Sequence, residues 1–376
     1  MKKTDLKGLT SAELSDFCVS LGEKAYRGRQ LFTWLYEKEA ASFDVMTTFS
    51  AQFRETLASH ATIGSLTLVE SQRSAGDGTT KLLFELSDGK RIESVLIPPK
   101  TAFKGKDAGE EWEQTRLTLC VSTQVGCPLD CVFCATATMG LLRNLTPGEI
   151  IGQVMQARAH AGKPITNLVY MGMGEPFLNY ENVMKSVEII TTGIKIAAKR
   201  ITVSTAGWAP MIRQMADEGR KIKLAVSLHT LDDGARTELM PINARFPLGE
   251  LLDAVEYYYS KTKERVTFEY ILFDGWNDTD DDLRRIVKLT RTIPSKINII
   301  PFHDIGFANP AMKNTSLKPA SAQRMEEFVS RLRDQHVTVF IRSSAGEDID
   351  AACGQLAVKS ERKRFPNKKL PHTVRS

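Results

Sequence analysis

Leu117-Thr118-Leu119-Cys120-Val121-Ser122-Thr123-Gln124-Val125-Gly126-Cys127-Pro128-Leu129-Asp130-Cys131-Val132-Phe133-Cys134 is the stretch from which the fold can be read. Its first six residues are β-prone, and three cysteines follow at the spacing Cys-x-x-x-Cys-x-x-Cys. Three thiolates on one tight loop can hold three irons of a cubane cluster and leave the fourth iron open to a small molecule. Zinc competes for such a loop, but structural zinc prefers four protein ligands, and no fourth Cys or His sits nearby. Three cysteines buried as small apolar residues is the remaining reading.

Working outward, strand-like runs recur at 167–171, 200–204, 223–227, 265–272, 296–300 and 337–342. Helix-like runs lie between them at 147–161, 181–192, 209–218, 248–262, 280–292 and 321–335. The first of these helices has a clear start, with Thr146 as N-cap, Pro147 at N1 and Glu149 completing a capping box. Strands alternating with helices predict right-handed βαβ units and a parallel sheet. Six such units predict an α/β fold of the partial (β/α)6 barrel type, with the site at the C-terminal ends of the strands.

The flanks differ in character. Residues 1–62 read as a helical module, with Leu14, Phe17, Cys18 and Leu21 on one face and Leu31, Phe32, Leu35 and Tyr36 on another. Residues 63–116 read as a small β-hairpin extension and a loop, with turn signals at Gly76-Asp77-Gly78 and Ser87-Asp88-Gly89. The barrel is expected over 117–345, and 346–376 form a C-terminal segment ending in a basic tail.

Of the formal net charge of +5, residues 359–376 carry +6 (seven Lys or Arg against one Glu), so the rest of the chain is near −1. Such a tail suits RNA phosphates, and equally it suits plain solvation. No apolar run reaches eighteen residues, which predicts no membrane span. The N-terminus lacks a signal-peptide core, so a cytoplasmic location is expected. Four of the six cysteines fall between 120 and 134, which suggests metal binding or catalysis over a disulfide framework.

Polar residues recur where strands should end. Met171-Gly172-Met173-Gly174-Glu175-Pro176 follows the second strand, Ser204 ends the third, and Ser227-Leu228-His229 ends the fourth. Taken singly, each reads as well as a cap or turn. Cys120 and Cys353 likewise read, alone, as buried small hydrophobes.

The cysteine spacing, with Phe133 before the last cysteine, resembles the radical S-adenosylmethionine (SAM) superfamily. The 119–127 run, the Gly174-Glu175-Pro176 turn, Ser227-Leu228-His229 and Asp350-Ala351-Ala352-Cys353-Gly354-Gln355-Leu356 together resemble its RlmN branch, the RNA adenine C-2 methyltransferases. The likeness extends to Gly22-Glu23-Lys24-Ala25-Tyr26-Arg27 and so covers nearly the whole chain.

That resemblance implies one [4Fe–4S] cluster on Cys127, Cys131 and Cys134, and two SAM molecules per turnover. SAM contacts would come from Gly174, Glu175, Ser204, Ser227, Leu228, His229 and His303. It implies methylation of carbon 2 of adenine 2503 in 23S rRNA and of adenine 37 in some tRNAs. Cys353 would carry the methyl group, Cys120 would form a transient disulfide with it, and Glu93 would take the C-2 proton. An electron donor such as flavodoxin and a monomeric enzyme are expected. His303 departs from the pattern, because family members commonly place Asn there, and an imidazole does not copy a carboxamide's two-sided bonding. Three alternatives stand beside this reading: a carbon-8 methyltransferase of the antibiotic-resistance type, a non-catalytic Fe–S RNA-binding protein, and a radical enzyme acting on a small molecule.

Overall fold

The computed structural model of the chain describes residues 3–99, 116–308, 317–342 and 345–358. The basic tail from Lys359 and nearly all of the 98–114 loop lie outside the described residues.

The chain opens with the helical module. Thr10 caps α1 (Ser11–Ser20) in a reciprocal box with Glu13. Next come α2 (Tyr26–Phe32), which runs on into a π turn at Thr33–Glu37, and α3 (Ala51–His60), capped by Ser50. Two short parallel strands, β1 (Thr4–Asp5) and β2 (Ala61–Thr62), close the module end to end. Tyr36, fully buried, accepts a hydrogen bond from the Gly8 amide at 2.8 Å.

Three antiparallel strands follow: β3 (Thr67–Arg73), β4 (Thr80–Glu85) and β5 (Arg91–Ile97), with turns where the Gly-Asp-Gly and Ser-Asp-Gly signals stand. They are continuous with the main sheet. Strand β5 pairs antiparallel with β6 (Thr118–Cys120), and β6 pairs parallel with β9 (Asn167–Tyr170). The parallel series goes on through β10 (Ile201–Thr205), β11 (Lys223–Ser227), β12 (Val266–Leu272), β13 (Ser295–Pro301) and β14 (Val339–Ile341). Between β6 and β9 a small hairpin, β7 (Gln124–Gly126) with β8 (Leu141–Asn144), stands across the cysteine loop.

The connecting helices are α4 (Pro147–Ala161), α5 (Tyr180–Ile189), α6 (Ala209–Asp217), α7 (Asp233–Leu239), α8 (Leu248–Thr262), α9 (Asp280–Thr292) and α10 (Ala322–Asp334). The capping box read at Thr146 and Glu149 is present at the start of α4. The short α7, together with β7 and β8, has too few residues to show a period and escapes sequence reading.

The ten strands form one open ladder in the order β14-β13-β12-β11-β10-β9-β6-β5-β4-β3, not a closed barrel. Its two ends nevertheless meet. The Gly346 amide donates to Asp77 Oδ2 at 3.0 Å, and the Ala75 amide donates to Asp348 Oδ2 at 3.2 Å. Arg342 follows β14, and the four residues from there to Gly346 span at most about 14 Å. The sheet must therefore curl until the turn between β3 and β4 lies within that reach of the end of β14.

The module is seated on the barrel backbone to backbone. A Cβ on Gly148, in the first turn of α4, would lie 2.2 Å from the Lys7 carbonyl oxygen, and one on Gly8 would lie 2.4 Å from the Gly148 nitrogen. Gly148→Val should cost about 2 kcal/mol through this overpacking. It should lower the urea midpoint and expose the 5–9 segment to limited proteolysis, whereas Gly249→Ala, where an added Cβ meets nothing within 4 Å, should do neither.

Candidate active site

The cysteine loop is held at both ends. Gly126 has φ +77°, and a Cβ there would run into the Gly140 carbonyl, which instead accepts the Cys127 amide at 3.1 Å. Arg143 on β8 anchors the hairpin with one bond to Asp88 and two to Glu149, each at 2.8 Å. Cys127 is buried, and Cys131 and Cys134 are half-buried. Burial pushes all three thiols up, and each is raised further by another cysteine of the site.

The donors fit an iron–sulfur cubane. Among the described residues, no three His, Cys, Asp or Glu side chains converge as ligands of a single ion would. A cubane asks for no such convergence, since each thiolate binds a different iron.

Glu175 reaches toward this loop from the end of β9. Its carboxylate accepts the Phe177 amide at 3.0 Å and the Ala206 amide at 2.7 Å, and burial lifts its pKa to about 7. Gly174, at φ +98°, packs so closely on Gln124 that a Cβ would lie 2.6 Å from it. Ser204 and Ser227 sit half-buried near the ends of β10 and β11. The Leu228 side chain is in the core, its amide donates to the Glu269 carbonyl, and its carbonyl accepts from Arg236, so it shapes the cradle without facing it.

His229 is buried in a left-handed turn, φ +60°, edge-on to Phe133 of the cysteine loop at 4.6 Å. Its Nδ1 accepts the Ile271 amide at 3.0 Å, which places the proton on Nε2. That Nε2–H has no partner among the described residues, although a buried donor left without one costs about 1–3 kcal/mol. His303, also buried, has Nδ1 3.3 Å from the Glu347 carboxylate and an Nε2 without a partner among the described residues.

Sequence reading missed Arg236, the largest fully buried side chain among the described residues. It donates to the carbonyls of Ala206, Ser227 and Leu228 and to Asn243 Oδ1, gathering two strand-end loops around one cation. Burial lowers its pKa to about 10. A buried Arg leaves no period or motif to find. Ser122 and Gln153 were missed for the same reason. Gln153 bonds the Ser122 backbone and the Ser94 hydroxyl, while Ser122 Oγ donates to the Glu93 carbonyl at 2.6 Å.

The two isolated cysteines come to one place. The chain after β14 crosses the mouth and lies on the cysteine loop, where the Ala135 amide donates to the Gly354 carbonyl at 2.7 Å and Thr136 Oγ1 to the Leu356 carbonyl at 2.6 Å. Burial, then the neighbouring Cys353, pushes the Cys120 thiol up to about 12. Arg342 stands beside both, bonded through Nη1 to Glu269 at 3.4 Å and to Met171 Sδ at 3.3 Å; its pKa is raised first by Cys353. Glu93 shares a face with Cys120. Val95 lies opposite Cys120, and Glu93 is two residues along from Val95, which makes it the diagonal neighbour at about 7–8 Å.

A parallel sheet with a three-thiol loop after its first parallel strand and a polar cradle at the strand ends defines a radical SAM protein. The pattern of the Radical SAM superfamily matches residues 121–289, and that of the ribosomal RNA large subunit methyltransferase N-terminal domain matches residues 4–63. A probable dual-specificity RNA methyltransferase RlmN of Christiangramia forsetii is 43% identical over 96% of this chain and 97% of its own. The dual-specificity RNA methyltransferase RlmN of Pelobacter propionicus is 41% identical over 97% and 99%. A crystal structure of a radical SAM methyltransferase from Sphaerobacter thermophilus superposes with a TM-score of 0.82 at 41% identity, covering 94% of this chain and 99% of that one. The chain belongs to the RlmN family of radical SAM RNA methyltransferases, a family whose members use a [4Fe–4S] cluster and SAM. Among the described residues no helix is long and apolar enough to cross a membrane.

Burial and the nearby Arg236 lower the His229 pKa to about 3, against an ordinary 6.5. The unfolded chain therefore binds a proton below pH 6.5 that the folded chain refuses until about pH 3, so stability falls as pH drops through that window. At pH 5 the loss from this residue should be about 2 kcal/mol. Urea midpoints taken from pH 7 to pH 5 should fall more steeply for wild type than for His229→Gln.

Proposed function

We propose that this enzyme methylates carbon 2 of adenine 2503 in 23S rRNA and of adenine 37 in some tRNAs, through an S-methylated Cys353 and a transient Cys120–Cys353 disulfide. The observation that carries the reading is the docking of the Cys353 peptide on the Cys127–Cys134 loop, with Cys120 and Glu93 on the strand face beside it.

Cys127, Cys131 and Cys134 would hold the cluster, which with SAM supplies a 5′-deoxyadenosyl radical. Carbon 2 of adenine is not nucleophilic, so a methyl group cannot pass to it directly from a sulfonium. Cys353 sulfur first takes the methyl group from one SAM, losing its thiol proton. A second SAM, with the cluster, would supply the hydrogen abstraction that lets the Cys353-bound methyl carbon join the base. Glu93 takes the C-2 proton as the radical adduct gives up one electron, which would return to the cluster. Cys120, as its thiolate, then attacks the Cys353 sulfur; an S–S bond forms, the sulfur–carbon bond breaks with its electron pair going to the methylene carbon, that carbon takes up a proton to become the methyl group, and the methylated base leaves. Disulfide exchange needs a thiolate, and the buried Cys120 must lose its proton for this step alone.

Gly174, Glu175, Ser204, Ser227, Leu228, His229 and His303 form the SAM cradle in this reading. Glu175 suits the methionine ammonium, and the Nε2–H of His229 suits an acceptor atom of the cofactor. Residues 1–62 would carry the RNA contacts that lie away from the base, a donor such as flavodoxin would supply electrons, and the enzyme would act as a monomer.

Cys120→Ala and Cys353→Ala separate the roles. Each variant, purified after expression with native RNA, is run on denaturing gels with and without nuclease. A nuclease-sensitive slow band should appear for Cys120→Ala, which can join the base but not release it, and be absent for Cys353→Ala. Wild-type methylation by either variant would refute the scheme. Mass spectrometry of the product should show 2-methyladenosine, whereas 8-methyladenosine would mark the carbon-8 enzyme.

A further inference from the structure

We propose that Lys81 is a positioning residue for the proton-transfer step: its ammonium group aims the Glu93 carboxylate and ties it to the peptide that carries Cys353. The proposal rests on the reading of Glu93 as the base.

Register places the participants. In the ladder, Lys81 lies opposite Val95, and Val95 lies opposite Cys120. Residues directly opposite one another project from the same face of a sheet, and so do residues two apart along one strand. Lys81, Glu93 and Cys120 therefore share one face. On that face Lys81 Nζ stands 3.7 Å from Glu93 Oε1, with the two side chains only 10% and 9% exposed. Lysine and glutamate are seldom buried to this degree unless paired, because taking two charges out of water costs several kcal/mol per ion.

The same Nζ donates to the Asp350 carbonyl at 3.4 Å, three residues before Cys353. This is the segment moored to the turn between β3 and β4 through Asp77 and Asp348. One ammonium thus touches both the base and the backbone leading to the methyl-bearing sulfur. A glutamate side chain has three rotatable bonds. Proton transfer needs its oxygen within about 3 Å of the proton's carrier, and misplacement by 1 Å can cost as much as about a hundredfold. A cation fixed at both ends of this contact sets the distance between carboxylate and Cys353, and hence between carboxylate and the adenine carbon joined to that sulfur's methylene.

A lysine that merely fastened the segment would act earlier, on placement of Cys353 itself. The test uses the full-length, cluster-loaded enzyme and an RNA hairpin carrying hydrogen or deuterium at adenine C-2. It compares Lys81→Met, Lys81→Arg, Glu93→Gln and the Lys81→Met/Glu93→Gln double variant. Lys81→Met should still methylate Cys353, read by intact mass, which also reports a correct fold. Its kcat should fall about tenfold or more with little change in KM for RNA. The covalent enzyme–RNA species should accumulate, and deuterium should slow turnover more than in wild type. Lys81→Arg should restore most of the rate. In the Glu93→Gln background, Lys81→Met should cost less than about twofold more.

Loss of Cys353 methylation in Lys81→Met, an unchanged isotope effect, or full additivity with Glu93→Gln would each overturn the proposal. Wild-type turnover by Glu93→Gln would instead overturn the assignment of the base, and Lys81's role with it.

Discussion

The antiparallel seam between β5 and β6 is the joint on which the active site depends. Within the ten-stranded ladder, every pairing from β6 to β14 is parallel and could be built from βα units alone. The seam brings a second kind of sheet against the first, and its register decides which side chains share the inner face. A slip of one residue would turn Glu93 and Lys81 to the outer face, where Ser94 now meets Gln153 of α4. The Gln153–Ser122–Glu93 backbone network guards against that slip. It satisfies buried amides only when these strands stand in this register, and an unmade bond in such a place costs about 1–3 kcal/mol.

Much of this was legible. The helices at 147–161, 248–262 and 280–292 were read to the residue, because each begins at a strong signal or runs long enough to show its period. The strand at 223–227 was read equally well. Residues whose positions depend on long-range closure could not be read. Cys353 lies 233 positions after Cys120, and no local pattern announces that a peptide crossing the mouth will bring them together. Residues 63–116 read as an extension because a hairpin looks the same whether it stands apart or joins a larger sheet. Only the pairing of Val95 with Cys120 tells the two cases apart.

Arg236 shows a different limit. A guanidinium in the interior is costly by itself, and here four acceptors offset the cost. Three of them are carbonyls at strand ends, where a parallel sheet leaves acceptors pointing at the ligand side. The arginine collects them, turns the chain at Ser227–His229 away from regular structure, and leaves one imidazole N–H without a partner among the described residues. The unpartnered imidazole and the buried guanidinium are two ends of the same arrangement.

The crossing from β14 to the β3–β4 turn has a kinetic meaning. A barrel closed by a final strand would bury its rim in a rigid ladder. Here two side-chain carboxylates, Asp77 and Asp348, close the ring by holding a short peptide. The thiol of Cys353 therefore rides on a tether fixed a few residues upstream and resting downstream on the cysteine loop. On the proposed reading of Cys353 as the methyl carrier, a thiol on so short a leash would meet its partners at an effective concentration far above any attainable for a free thiol in solution.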